Sequence, residues 1–355
     1  MNRREFIGGA AGVLAAGCVD ANPGVKGAAD ALALESAKRW FKEAQFGGMC
    51  HFGLYTLLAG EWKGECGWHP YGEWIQNVLR IPNAEYGALA KAFNPICFNA
   101  DEWVQIARDA GMKYLVFTSK HHDGFAMFRS KVSKFNVVDA TPFGRDVVCE
   151  LAEACRKHGL KLGLYYSQDL DWHERGGGGF TAGKTWTGGA AYWTNNWDFK
   201  DVTRANFDRY YEEKSKPQVR EILTQYGDLC LVWFDIGWTP TKEQSNELYD
   251  MVRKLQPGCL INSRIGCGKC DYTSAGDNEI PDDDKSGMLF ETPATLNDTW
   301  GYKPHDQNWK SAKEIRRIRE HLAARHANYL LNVGPDPLGR IPAKSVEILR
   351  EAASI

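Results

Sequence analysis

The chain lacks a long apolar run. Beyond a short Gly/Ala-rich stretch near the N-terminus, nothing approaches the ~20 apolar residues of a membrane-spanning helix. It also lacks an excess of charge of one sign. The 43 basic and 45 acidic side chains leave a net charge of -2, which gives no electrostatic case for nucleic acid or an anionic membrane surface. Cysteine is sparse: 10 residues in 355 is far below the density of a disulfide scaffold. Cys149, Cys155 and Cys230 sit in apolar patterns and read as small buried hydrophobes. Cys267 and Cys270 have metal or redox spacing, but no second pair lies near them, so a local disulfide or two free thiols is expected. Finally, no Gly-rich phosphate loop follows the first strand, which argues against a nucleotide-binding sheet. Aromatics, by contrast, are plentiful at 12%, with 13 Trp, a composition compatible with a sugar-binding cleft but also with an ordinary core.

The N-terminus reads as an address rather than fold. Arg3 and Arg4 precede Phe6 and a short apolar run, in the manner of a bacterial twin-arginine export signal. Leu14-Ala15-Ala16-Gly17-Cys18 is similar to a lipoprotein cleavage box, with Ala15 where Leu is usual. The expectation is an export signal over residues 1–22 and a linker over 23–38, followed by a catalytic domain over 39–355, with Leu34 to Glu43 helical in pattern. The mature protein is then periplasmic or a cell-surface lipoprotein, with Cys18 as the lipid anchor in the second case.

The remainder alternates apolar strands with amphipathic helices. Seven strands are readable: 47–54, 113–118, 160–167, 229–234, 260–264, 288–292 and 329–333. The intervening helices open on N-cap signals at Asn99, Asp146 and Ser311. Strand–helix repetition demands parallel strands and right-handed crossovers. An α/β fold, a (β/α)8-like barrel with long loops over its C-terminal face, is the expectation; an open doubly wound sheet is the alternative. Two long Gly-rich loops, 175–192 and 266–285, follow strand ends and read as substrate-shaping lids.

The most informative stretch is Leu229 to Trp238. Its apolar run ends in Asp235, with an aromatic on either side and Gly237 behind. Barrels carry their chemistry at strand C-terminal ends. Asp235 is therefore the first catalytic candidate, a helix-capping Asp being the plain alternative. His51, His121, His122, Tyr166, Trp233, Arg264 and Glu291 also fall at or just past strand ends, so a barrel would gather them at one mouth. Three histidines suggest a zinc site. They come from only two strands, however, and adjacent His121 and His122 cannot readily point the same way in a strand, so no metal is expected.

From about Trp40 onward the chain resembles glycoside hydrolase family 29, the α-L-fucosidases. The matching motifs are His51-Phe-Gly-Leu-Tyr55, Tyr71-Gly-Glu73-Trp74-Ile-Gln-Asn77, Ser119-Lys-His121-His122-Asp-Gly-Phe125, Gly163-Leu-Tyr-Tyr166-Ser167, Trp233-Phe-Asp235, Asn262-Ser-Arg264, Glu291 with Trp300-Gly-Tyr302, and Asn328-Tyr-Leu-Leu-Asn-Val-Gly334-Pro335. The resemblance implies an exo-acting retaining glycosidase that releases terminal α-L-fucose from fucosylated glycans without a cofactor. Asp235 is then the nucleophile, and Glu291 the acid/base, with Glu279 as competitor. His51, Glu73, Trp74, His121, His122, Tyr166, Trp233, Arg264 and Trp300 would line the fucose pocket. Such chemistry needs two carboxyls ~5 Å apart, one ionised and one protonated. Many members continue into a C-terminal β-sandwich, and none is expected here. The alternatives are a same-fold glycosidase acting on a related sugar such as β-D-galactose, and a sugar-binding protein without catalysis.

Overall fold

A computed structural model describes residues 23–66, 69, 71–181 and 190–354. The expected export segment, residues 1–22 with Cys18, lies outside them, as does most of the first Gly-rich loop's second half, residues 182–189. Eight strands form one parallel sheet: β1 (Phe46–Cys50), β2 (Tyr114–Lys120), β3 (Lys161–Tyr166), β4 (Leu231–Phe234), β5 (Leu260–Ile261), β6 (Thr273–Ser274), β7 (Phe290–Thr295) and β8 (Ala327–Val333). Their order is β5-β4-β3-β2-β1-β8-β7-β6. A parallel bridge between Asn262 and Tyr272 joins the two ends and closes the ring. The barrel reading holds. The strand that sequence periodicity missed is β6, too short at two residues to show an alternation.

The longer helices are α1 (Pro23–Ala44), α2 (Ala100–Asp109), α3 (Val147–His158), α4 (Arg204–Tyr210), α5 (Lys216–Gln225), α6 (Lys242–Leu255), α7 (Ala312–Ala323) and α8 (Ala343–Ser354), and all but α1 pack outside the barrel. Asn99, Asp146 and Ser311 cap α2, α3 and α7 by accepting backbone N–H bonds, as their sequence positions predict. Thr241 does the same for α6 in a full capping box with Gln244. Among the described residues no α-helix carries the chain from β5 to β6 or from β6 to β7; loops do, with a single 3₁₀ turn at Ser263–Ile265.

The exception to outward packing is α1, and it corrects the expected linker over 23–38. Leu34, Ala37, Trp40, Phe41 and Ala44 recur at helical spacing and pack into the barrel's inner cluster. Phe41 touches Tyr114 and Tyr272 (ring centroids 6.0 and 4.7 Å), and its carbonyl accepts from Asn328 Nδ2 at 2.9 Å. These partners sit at the starts of β2, β6 and β8, so α1 stoppers the N-terminal mouth. Among the described residues no helix is long and apolar enough to cross a membrane.

Within the barrel, alternation decides everything. Met49, Tyr114, Val116, Tyr165, Leu231, Trp233 and Leu330 face the lumen. Their strand neighbours Cys50, Leu115, Phe117, Leu164, Tyr166, Val232 and Leu331 face the helices.

Candidate active site

The strands deliver a pocket of about 440 Å³ at the C-terminal mouth, the end opposite α1. His51, Glu73, Trp74, His121, His122, Trp233, Asp235, Arg264 and Trp300 all line it, as the sequence leads one to expect. Tyr166 does not. Its hydroxyl donates to Gln218 Oε1 on α5 at 2.9 Å, on the helix side of β3. The lumen residue is Tyr165, whose hydroxyl donates to Asp235 Oδ2 at 2.8 Å. Strand parity explains the error. Leu162, Leu164 and Tyr166 share the apolar outer face, while Gly163 and Tyr165 face inward.

Asp235 emerges where β4 ends and is held on every side. Arg264 Nη1 donates to Oδ1 at 3.0 Å, and His122 Nε2 stands 3.5 Å from Oδ2. Its own backbone N–H donates to Gln168 Oε1. Burial pushes its carboxyl up, but the Arg264 guanidinium, helped by the Tyr165 hydroxyl, outweighs burial and holds it below the usual carboxylate range. Arg264 lies over the Trp233 ring at 4.7 Å. Trp233 in turn stacks on Tyr165 (5.6 Å, 16°).

The histidines are kept neutral. Burial lowers His51 to about 4 and His122 to about 3, and drives His121 well below its ordinary value. Ser167 spends its own hydroxyl hydrogen on Leu170 O, so His122 Nδ1 donates to Ser167 Oγ and Nε2 carries the lone pair. Asn332 uses Nδ2 on Trp300 O, so His51 Nδ1 donates to Asn332 Oδ1. His121 Nδ1 is buried without a partner. His121 and His122 both reach the pocket, contrary to the strand-based argument, because β2 ends at Lys120 and the chain turns there.

Two further carboxylates reach this cavity. Glu73 is almost fully buried and accepts from Gly301 N at 2.7 Å. Burial raises its pKa to about 8. Asp277 comes from the second Gly-rich loop and is absent from the sequence-based candidates. Its Oδ1 accepts from Arg264 Nη2 at 2.6 Å, so one guanidinium holds Asp235 on one nitrogen and Asp277 on the other. The loop is pinned to β7: Ala275 N donates to Glu291 O, and Asn278 N to Pro293 O. No periodic pattern surrounds Asp277; only its place in a long loop after a strand end points toward it.

Glu291 is the main correction. It is the second residue of β7, whose C-terminal end is Thr295, so it lies low in the barrel and not at the mouth. It does not line the pocket. Its carboxylate accepts from Tyr114 Oη at 2.7 Å and Trp233 Nε1 at 2.8 Å. Pro293 makes the strand read as ending early. Pro is tolerated there because β6 has already ended at Ser274 and a loop amide, Asn278 N, serves the Pro293 carbonyl. Glu279, the competitor, is exposed and accepts from Gly276 N at 3.0 Å, bracing the turn that presents Asp277. Cys267 and Cys270 are free thiols.

The α-L-fucosidase family model matches residues 15–354. The chain belongs to the α-L-fucosidase family. A putative α-L-fucosidase of Caenorhabditis elegans is 30% identical over 335 residues, covering 88% of this chain and 63% of that protein. The chain thus spans slightly under two thirds of that relative's length. Among solved structures, the α-L-fucosidase AlfC of Lactobacillus casei with α-L-fucose product is 53% identical, with a TM-score of 0.84, covering 90% of this chain and 97% of that one. A variant of AlfC in complex with Fucα(1,6)GlcNAc is 52% identical with the same TM-score and coverage. The two AlfC structures share the (β/α)8-like fold of this chain.

Proposed function

We propose that the chain is a retaining α-L-fucosidase, with Asp235 as nucleophile and Asp277 as acid/base. The observation that carries this is the shared guanidinium. Arg264 presents one nitrogen to each carboxylate, which sets the pair side by side at the mouth, as a retaining mechanism with carboxyls ~5–5.5 Å apart requires. Asp235, kept ionised, attacks the anomeric carbon as the bond to the leaving-group oxygen breaks. Asp277 gives that oxygen its proton. Water then attacks the same carbon, Asp277 takes water's proton, and the Asp235 ester bond breaks to release fucose. Arg264 keeps one anionic partner through the step: as Asp235 becomes an ester, Asp277 becomes the carboxylate.

Glu73 suits binding better than proton transfer. It is walled in and tied to Gly301 N, whereas Asp277 stands on the solvent side where a leaving group departs. Neutral His51, His121 and His122 offer lone pairs to sugar hydroxyls. Trp74, Trp233 and Trp300 supply the apolar wall that a 6-deoxy sugar's methyl group needs. Fucose linked to N-acetylglucosamine, the ligand of the AlfC variant, is the first natural substrate to try.

The test is hydrolysis of 4-nitrophenyl α-L-fucoside with azide present. Asp235→Ala is expected to be dead in buffer and to yield the inverted fucosyl azide. Asp277→Ala is expected to yield the azide with retained configuration. If Glu73→Ala gives the retained azide and Asp277→Ala does not, the acid is Glu73. We also propose export through the twin-arginine leader, supported by Arg3, Arg4 and the apolar run after them, with lipid on Cys18. Mass spectrometry of the mature N-terminus, beside a Cys18→Ala variant, tests it; an unmodified N-terminus at or near Pro23, rather than diacylglyceryl-cysteine, removes the anchor.

A further inference from the structure

Trp238 is an anomaly of placement. Among the described residues it is one of few large apolar side chains left open, 42% exposed, and it stands at the rim of the pocket. Exposure of so large a ring forfeits burial energy that the core would gain from it. Yet the ring is not loose. Trp193, itself buried, meets it edge-on at 4.6 Å and 80°. Trp193 in turn meets Trp74 edge-on at 4.9 Å and 84°. A file of rings therefore runs from the sugar pocket to the surface and ends in Trp238.

The backbone is fixed with equal care. The buried Asp169 Oδ2 accepts both from Trp238 N at 2.7 Å and from Thr239 N at 2.9 Å. Between Asp235 and Trp238 the chain takes two successive left-handed steps, Ile236 at φ 67° and Gly237 at φ 73°. A β-branched residue in that region is strained, at a cost of ~1–3 kcal/mol. A Cβ on Gly237 would lie 2.5 Å from Arg264 O, so the turn is locked against the segment that carries Arg264. The position of Trp238 relative to Asp235 is thus set by strain, by a buried carboxylate and by a buried ring. Among the described residues Trp238 belongs to none of the buried apolar clusters.

We infer that Trp238 is the platform of a leaving-group subsite, whose exposed face takes the apolar face of a pyranose aglycone such as N-acetylglucosamine. This rests on the fucosidase reading above. Asp277 lines the same cavity, so a sugar stacked on Trp238 brings its glycosidic oxygen to the side from which the proton comes.

The test compares two substrates: Fucα(1,6)GlcNAc, which has an aglycone ring, and α-L-fucosyl fluoride, which has none. For both, kcat/KM reports formation of the glycosyl-enzyme. Trp238→Ala is expected to lower the disaccharide-to-fluoride ratio of kcat/KM by ~10-fold, the worth of one ring stacking interaction. Trp238→Phe should recover most of the ratio. An unchanged ratio in Trp238→Ala, whether or not both rates fall together, overturns the platform and leaves the fucosidase reading intact. Turnover of neither substrate by the wild type removes the fucosidase reading, and the platform with it.

Discussion

Asp235 and Glu291 sit in the same barrel lumen, one layer apart, both buried and both touching the Trp233–Tyr165 stack or its edge, and they are driven in opposite directions. Asp235 has a guanidinium at 3.0 Å and is held below the usual carboxylate range despite burial. Glu291 has only neutral donors, Tyr114 and Trp233. Burial dominates there, and its pKa rises to about 7. Burial alone therefore neutralises a carboxyl in this barrel; a contacting cation reverses the outcome. The upper layer turns polar groups toward the open pocket, while the lower layer satisfies them internally and is sealed by α1.

The harshest way to break this contrast is to delete the upper carboxylate. Asp235→Ala is expected to cut kcat on an aryl α-L-fucoside by ~10⁴-fold or more, measured against wild type with fold checked by circular dichroism. A residual rate within tenfold of wild type would place the nucleophile elsewhere. Next comes removal of the cation. Arg264→Met leaves Asp235 and Asp277 facing each other without their shared partner. The pKa of Asp235 should rise, so the acidic limb of kcat/KM moves to higher pH. The sign is fixed by direction: a depressed carboxylate stabilises the fold above its unfolded pKa, and that stability is lost as pH falls through the folded value. In Arg264→Met that acid-sensitive increment should vanish, and stability at neutral pH should fall by on the order of 3 kcal/mol in urea titrations.

The same contrast shows what the sequence could say. Strand ends, caps and the ring of His51, Glu73, Trp74, His121, His122, Trp233, Asp235, Arg264 and Trp300 were legible because each sits beside an apolar run or a local motif whose period is set by covalent geometry. Tyr165 was missed by one residue, though Gly163 and the flanking leucines carried the parity. The α1 stopper was legible in part: the helical pattern over Leu34 to Glu43 belongs to it, but its N-terminal turns, which carry Gly24 and Gly27 beside the leader, read as linker. Asp277 was not legible: its position depends on a loop pinned to β7 by backbone bonds, which no side-chain pattern announces. Glu291 was misplaced because Pro293 hides the length of β7.

A milder perturbation uses Glu73. With a pKa near 8, it is protonated at neutral pH and ionises in the alkaline range. Binding by a neutral Glu73 should weaken as pH passes about 8, so KM for the aryl fucoside rises there by several-fold. Glu73→Gln should flatten that rise. A KM that climbs equally in both proteins would assign the alkaline loss to another group.

The smallest effect on turnover, and the sharpest on the comparison, belongs to Glu291→Gln. Gln keeps an acceptor for Trp233 Nε1 and removes only the titration. Because the folded pKa is raised, Glu291 favours the native state least at high pH. Below the ordinary Glu range both states are protonated and the group is neutral in its effect. As pH climbs toward about 7, the unfolded chain ionises while the native one resists, and stability is lost. Glu291→Gln should therefore match wild type near pH 4 and exceed it near pH 8 by on the order of 1–3 kcal/mol, or a few degrees in Tm. Its kcat should stay within a few-fold of wild type, since it touches no substrate atom. If instead kcat collapses and azide restores it with retained configuration, Glu291 reaches the leaving group after all, and the division of the lumen into a reactive and a structural layer is wrong.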